Sequence, residues 1–160
     1  MRSGEWIWYW LQGSDGAACQ GVGDSNASNP SAATMRVRNY RDLVVWQRAV
    51  DFVAEIYRIS ARFPRVEQFG LTAQVRDASV SVSANIAEGS GRATSRDLLN
   101  FLSHARGSLK EAESMVFVAQ RLGFVSAADC IEALRLADET SRMLAGLRVS
   151  IAKRNRKPIG

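Results

Sequence analysis

From residue 43 onward, apolar positions recur at helical spacing, not at the two-residue spacing of strands. At 100° per residue, Leu43, Trp46, Val50, Val53 and Tyr57 fall on one stripe, and Val45, Phe52, Ile56, Ile59 and Phe63 form a second beside it. Arg48, Asp51, Glu55, Arg58 and Arg62 fill the remaining wedge. The pattern predicts a helix over about 43–62, with Asp42 as N-cap and Pro64 as the stop. Its apolar arc is wider than a single core contact requires.

A second helix over about 70–88 carries Leu71, Val75, Ala78, Val82 and Ile86 on one face and Ala73, Val80, Ala84 and Ala87 on the opposite one. Ser79, Ser81 and Ser83 add small side chains, and only Arg76, Asp77 and Glu88 are charged. A helix apolar or small on nearly all sides predicts burial on nearly all sides, which a lone four-helix protomer does not supply. Gly89-Ser90-Gly91 reads as its end, through the left-handed backbone that glycine tolerates.

The third helix begins at Thr94 or Ser95 with Asp97 in its first turn. Leu98, Leu102, Ala105, Leu109, Ala112 and Val116 form its core stripe; His104, Glu111, Met115, Val118 and Leu122 form a second line; Gly123 ends it. Ser126 caps a fourth helix over about 127–153, with Asp129 at capping-box spacing and Ala133, Ala137, Thr140, Leu144, Leu147 and Ile151 facing inward. Short links between long helices favour antiparallel neighbours, so the expected fold is all-α: an antiparallel up-down-up-down four-helix bundle over residues 35–153.

Residues 1–34 differ from the rest. Trp6, Trp8, Tyr9 and Trp10 precede a Gly/Ser/Ala/Asn stretch, and Arg2 stands against Glu5, Asp15 and Asp24. This segment reads as a disordered extension, upstream of a start at Met35, and residues 154–160 read as a basic tail. The chain of 160 residues has net charge +5, so residues 35–160 carry +7 once the −2 of the first segment is removed. With 46% hydrophobic and 23% charged residues, the chain as a whole is not a disordered one. It has no apolar run long enough to span a membrane. Two cysteines, Cys19 and Cys130, and a single histidine, His104, give neither a disulfide framework nor a metal-ligand set. The expectation is a cytoplasmic protein with no cofactor and no metal.

Three stretches carry a family resemblance: Leu43-Val44-Val45-Trp46-Gln47-Arg48-Ala49, the run from Gln74 to Gly89 ending in Asn85-Ile86-Ala87-Glu88-Gly89, and Ala105-Arg106-Gly107-Ser108-Leu109-Lys110-Glu111-Ala112-Glu113. Phe63-Pro64 and Phe69-Gly70-Leu71 fit the link between the first two helices. Over about residues 40–150 the chain resembles the bacterial 23S rRNA intervening-sequence proteins. Members characteristically have a proline two residues before the asparagine, where this chain has Ser83. The resemblance implies a four-helix bundle that assembles as a homopentamer and has no established catalytic activity. The family is in turn similar to the accessory proteins of diversity-generating retroelements, which form pentameric barrels and bind nucleic acid.

Trp46, Gln74, Arg76, Asn85, Glu88, Gly89, Gly107, Ser108 and Glu111 are the motif positions, and their expected roles are structural. Asn85 is expected to satisfy backbone groups at the Gly89-Ser90-Gly91 turn, Glu88 to pair with Arg92, and Glu111 to pair with Arg76, across a subunit boundary. Gly107 is expected to admit a close helix approach. An enzyme built on Glu88 or Glu111 is the rival reading, but no activated nucleophile or metal set accompanies these carboxylates. The Gly89-Ser90-Gly91-Arg92 loop follows a helix rather than a strand, which excludes a P-loop.

An up-down-up-down order gathers three basic segments at one pole: Arg36, Arg38 and Arg41; Arg92 and Arg96; and Lys153, Arg154, Arg156 and Lys157. Only Asp42, Glu88 and Asp97 oppose them. Such a pole attracts phosphate backbones through counterion release, so RNA or DNA is the expected partner beside copies of the chain itself. No aromatic platform is evident among these cations, which predicts nonspecific, salt-sensitive binding. A protein-binding adaptor or assembly scaffold without nucleic acid is the alternative.

Overall fold

A computed structural model describes residues 39–155. The expected extension 1–34, Arg36, Arg38 and the tail beyond Asn155 lie outside the described residues. Four helices carry the fold: α1 Val44–Ser60, α2 Leu71–Ser90, α3 Ser95–Arg121 and α4 Ala127–Asn155. Short 3-10 turns at Tyr40–Asp42 and Arg65–Glu67 precede α1 and α2. The described residues contain no strand. Each helix packs on two others, in the cyclic order α1, α2, α3, α4 and back to α1, and the α2–α3 contact is the most extensive.

The core is what the helical spacing specifies. Phe52, Ile56 and Ile59 of α1, Val75, Val82 and Ile86 of α2, Leu102, Leu109 and Val116 of α3, and Leu144 with Thr140 of α4 are fully buried. The Thr140 hydroxyl donates to the Leu136 carbonyl at 2.7 Å, so this buried polar group is satisfied within its own helix. Arginines on the charged wedge of α1 tie it to α4: Arg48 donates to Glu139 at 3.1 Å, Arg58 to the Asp129 carbonyl at 3.1 Å, and Arg62 pairs with the Asp129 carboxylate. Residue numbers rise along α1 as they fall along α4, so these two helices run in opposite senses.

Two helix starts fit the sequence and one does not. The Thr94 hydroxyl accepts from the Asp97 amide at 3.1 Å, capping α3. Ser126 and Asp129 form the reciprocal box at α4: the Asp129 amide donates to the Ser126 hydroxyl at 3.2 Å and the Ser126 amide to the Asp129 carboxylate at 3.1 Å. Asp42 does not cap α1. It belongs to the 3-10 turn, whose own cap is Asn39, and the N-cap of α1 is Leu43, which makes no side-chain cap bond. Gly123 ends α3 with a φ of 76°, a backbone that favours glycine.

Candidate functional site

Two surface features set what the bundle can do: an apolar band flanking α2 and a basic end. On α1 the two predicted stripes separate. Val45, Phe52, Ile56 and Ile59 are buried, whereas Val50 and Tyr57 remain 38% and 45% exposed, with Trp46 and Val53 partly so. The stripe of Val50 and Tyr57 lies on the α2 side at Tyr57, because Tyr57 and Ser60 hold Arg76 of α2: the guanidinium sits 4.7 Å from the Tyr57 ring centroid and Nε donates to the Ser60 hydroxyl at 2.8 Å. On α2 itself, Val80 is 42% exposed and Ala84 is exposed, so within one protomer the helix is not buried all round as its composition predicts. On α3, Val118 is 44% exposed, and Leu122, just past its end, is 58% exposed.

The seam between α2 and α3 contains the motif residues, with roles that differ from expectation. Asn85 does not reach the Gly89-Ser90-Gly91 turn; its Nδ2 donates back to the Ser81 carbonyl at 2.7 Å and to the Ser81 hydroxyl at 3.0 Å. Ser108 donates across from α3 to the same Ser81 hydroxyl at 3.0 Å. One polar chain, Asn85–Ser81–Ser108, thereby stitches the two helices. Gly89 is buried inside α2, not at a left-handed end; a Cβ there would lie 2.8 Å from the Phe101 Cβ. Gly107 is exposed, and a Cβ there would meet nothing within 4 Å, so no helix of the protomer approaches it. Arg76 is engaged by Tyr57 and Ser60, and Glu111 stands exposed on α3, so the expected Glu111–Arg76 pair does not form within the protomer. Gln74 is exposed.

At the basic end, helix lengths locate the segments. The Ser60–Arg76 bond fixes the far end of α1 near the start of α2. Seventeen residues give α1 a length of about 25 Å, so the Tyr40–Asp42 turn, which packs on α2, meets it near its C-terminal end. There α2 meets the first turns of α3, through Gly89 against Leu98 and Phe101. Arg41 therefore shares an end with Arg92 and Arg96. The Arg48–Glu139 and Arg62–Asp129 pairs direct the last turns of α4 the same way. Beyond Glu139, α4 continues for about 24 Å to Asn155. Ile151 near its end is buried in the core, so Lys153 and Arg154 stay at the same end of the bundle. Of the nine predicted cations, Arg36, Arg38, Arg156 and Lys157 lie outside the described residues.

The sequence reading missed the aromatic partners of these cations. Arg92 pairs with Glu88, as expected, but its guanidinium also lies 4.6 Å from the Phe101 ring centroid, and Phe101 meets His104 edge-on at 6.3 Å. Arg41 lies 5.8 Å from the Tyr40 ring, which meets Trp46 edge-on at 5.1 Å. Adjacency of Tyr40 to Arg41 was legible; the nine-residue separation of Arg92 from Phe101, across the α2–α3 turn, was not.

The family model for 23S rRNA-intervening sequence proteins matches residues 41–146. The chain belongs to this family. No curated protein matches it. The matched span of the 23S rRNA-intervening sequence protein model covers the Tyr40–Asp42 turn from Arg41 and all of α1 to α3, and stops inside α4 before Lys153 and Arg154. Lys153 and Arg154 are thus outside the matched region. Among the described residues there is no cluster of three or more metal-ligating side chains and no helix long and apolar enough to cross a membrane. Cys130 is buried, and burial pushes its thiol above the ordinary value, which favours the inert protonated form.

Proposed function

We propose that this chain is a non-enzymatic, up-down-up-down helical bundle that assembles as a homopentamer in the cytoplasm and holds nucleic-acid backbone at its basic end. The observation that carries the reading is the open apolar band. Val50 and Tyr57 on α1, Val80 on α2, Val118 on α3 and Leu122 just past its end are large apolar side chains that the protomer leaves about half exposed. A second copy seated there removes that surface from water, at roughly 25 cal/mol for each Å² covered. The exposed Gly107 and Ala84 lie on α3 and α2, where small side chains let a partner helix approach.

The basic end supports the nucleic-acid part. Arg41, Arg96 and Lys153 come from separate segments, and cyclic assembly repeats them around one ring face, a geometry suited to phosphate through counterion release. The carboxylates of the enzyme reading have other occupations or settings: Glu88 is held by Arg92, and Glu111 is on an open helix face.

The test is Val80→Glu in the full chain. Val80 is 42% exposed, so the protomer tolerates the charge while a seated partner does not. The expected outcome is a drop to single-chain mass with helix content by circular dichroism unchanged. A mass unchanged by the substitution refutes assembly through this face.

A protein-binding adaptor has one specific observation in its favour. Phe69 and Val66, in the link between α1 and α2, are 90% and 88% exposed. Retained binding of nucleic acid after Phe69→Ser, with assembly intact, separates this loop from the main reading.

A further inference from the structure

Resting on the nucleic-acid reading above, we infer that the basic end is built to take single-stranded nucleic acid, with unpaired bases stacking at two aromatic–arginine stations, rather than duplex held by its backbone alone. The first station is Arg41 over Tyr40, with Trp46 edge-on beneath. The second is Arg92 over Phe101, with His104 edge-on beside it. Both lie at the same end of the bundle, by the helix-length argument given for the Tyr40–Asp42 turn and the start of α3.

Three features favour bases over phosphates at these points. Arg92 is already paired with Glu88, so much of its charge is answered; what it still offers is a flat guanidinium, oriented by the ring beneath it. A guanidinium plane and an aromatic ring are both stacking surfaces for a splayed base, whichever base it is. The Tyr40 turn is fixed in place: Asn39 accepts from the Arg41 amide at 3.0 Å, and Gln47 Nε2 donates to the Arg41 carbonyl at 3.0 Å. A station held rigid before binding loses less freedom when a base arrives. In a duplex the bases are stacked on one another and cannot reach these surfaces, so a duplex gains only from the charges of Arg41, Arg96 and Lys153. A single strand gains from both.

The experiment measures binding of the full chain to a fluorescently labelled mixed-sequence RNA strand, alone and annealed to its complement, over a series of salt concentrations. The single strand is expected to bind at least tenfold more tightly than the duplex at equal salt. Tyr40→Leu and Phe101→Leu keep apolar bulk and remove the aromatic face; together they are expected to weaken single-strand binding about tenfold or more while leaving duplex binding and both salt slopes unchanged. Arg96→Ala with Lys153→Ala is expected to do the converse, lowering the salt slope for both forms. Equal affinity for the two forms, or single-strand binding indifferent to the leucine variants, overturns the stacking stations and leaves the charged end standing. Absence of binding to either form at low salt overturns both readings. Assembly mass is measured for each leucine variant; a changed mass for Phe101→Leu assigns that ring to a subunit contact and overturns the second station, and Tyr40→Leu then decides the first.

Discussion

Two glycines of the family motif, both inside helices, occupy opposite environments. At Gly89 an added Cβ would sit 2.8 Å from Phe101 Cβ and 3.1 Å from Leu98 Cδ1, where α2 and α3 converge. Gly89→Ala is therefore expected to cost about 1–3 kcal/mol in a denaturant titration, the range for overpacking a tight contact. At Gly107 the same substitution meets open space, and replacing a mid-helix glycine by alanine is worth about 0.5–1 kcal/mol in helix propensity. Gly107→Ala is expected to raise protomer stability and, where a partner helix needs the gap, to weaken assembly; a stability loss in the monomeric Val80→Glu background contradicts this. The sequence shows both glycines but not the difference between them. Gly89-Ser90-Gly91 resembles a turn, and the reason for Gly89 lies nine and twelve residues away, on another helix. Asn85 was misread for the same cause: its bond to Ser81 one turn back competes with the turn ahead, and spacing alone does not choose between them.

At the scale of elements, local signals were legible and relayed ones were not. The Ser126–Asp129 box at α4 and the Thr94 cap at α3 involve residues three apart, so sequence suffices. The start of α1 does not obey that rule, because the 3-10 turn before it absorbs Asn39 and Asp42. Ser126→Ala is expected to destabilise the protein by about 1 kcal/mol, as measured by chemical unfolding. The Asp129 carboxyl is held below its ordinary value of 3.8, first by the Ser126 hydroxyl, then by the Ser126 amide and by Arg62. A depressed folded-state value means that the carboxylate's contribution is fully present above pH 3.8 and is lost as pH falls through the lower folded value. Thermal melts from about pH 6 down to about pH 2.5 are expected to show this loss in the wild type and a smaller one in Asp129→Asn. Equal acid sensitivity of the two would contradict the capping role.

For the whole molecule, the sequence carried the four helices and their inward stripes because burial imposes a helical period on composition. The open band was legible in part: the double stripe of α1 and the nearly chargeless α2 signalled more apolar surface than one protomer needs, and the structure leaves Val50, Tyr57 and Val80 partly in water. The gathering of Arg41 and Arg92 at one end follows from the helix order read in the sequence; what sequence alone could not give was the seat of Arg92 on the Phe101 ring, which depends on the α2–α3 contact. The account turns on whether copies of the chain cover the open band. The most direct measurement is the mass of the full chain in solution by size-exclusion chromatography with light scattering. A homopentamer is expected at about 88 kDa, five times the 17.6 kDa of one chain. A dimer or tetramer would keep the apolar interface and reject fivefold symmetry, and a single species at 17.6 kDa at micromolar concentration would contradict the account.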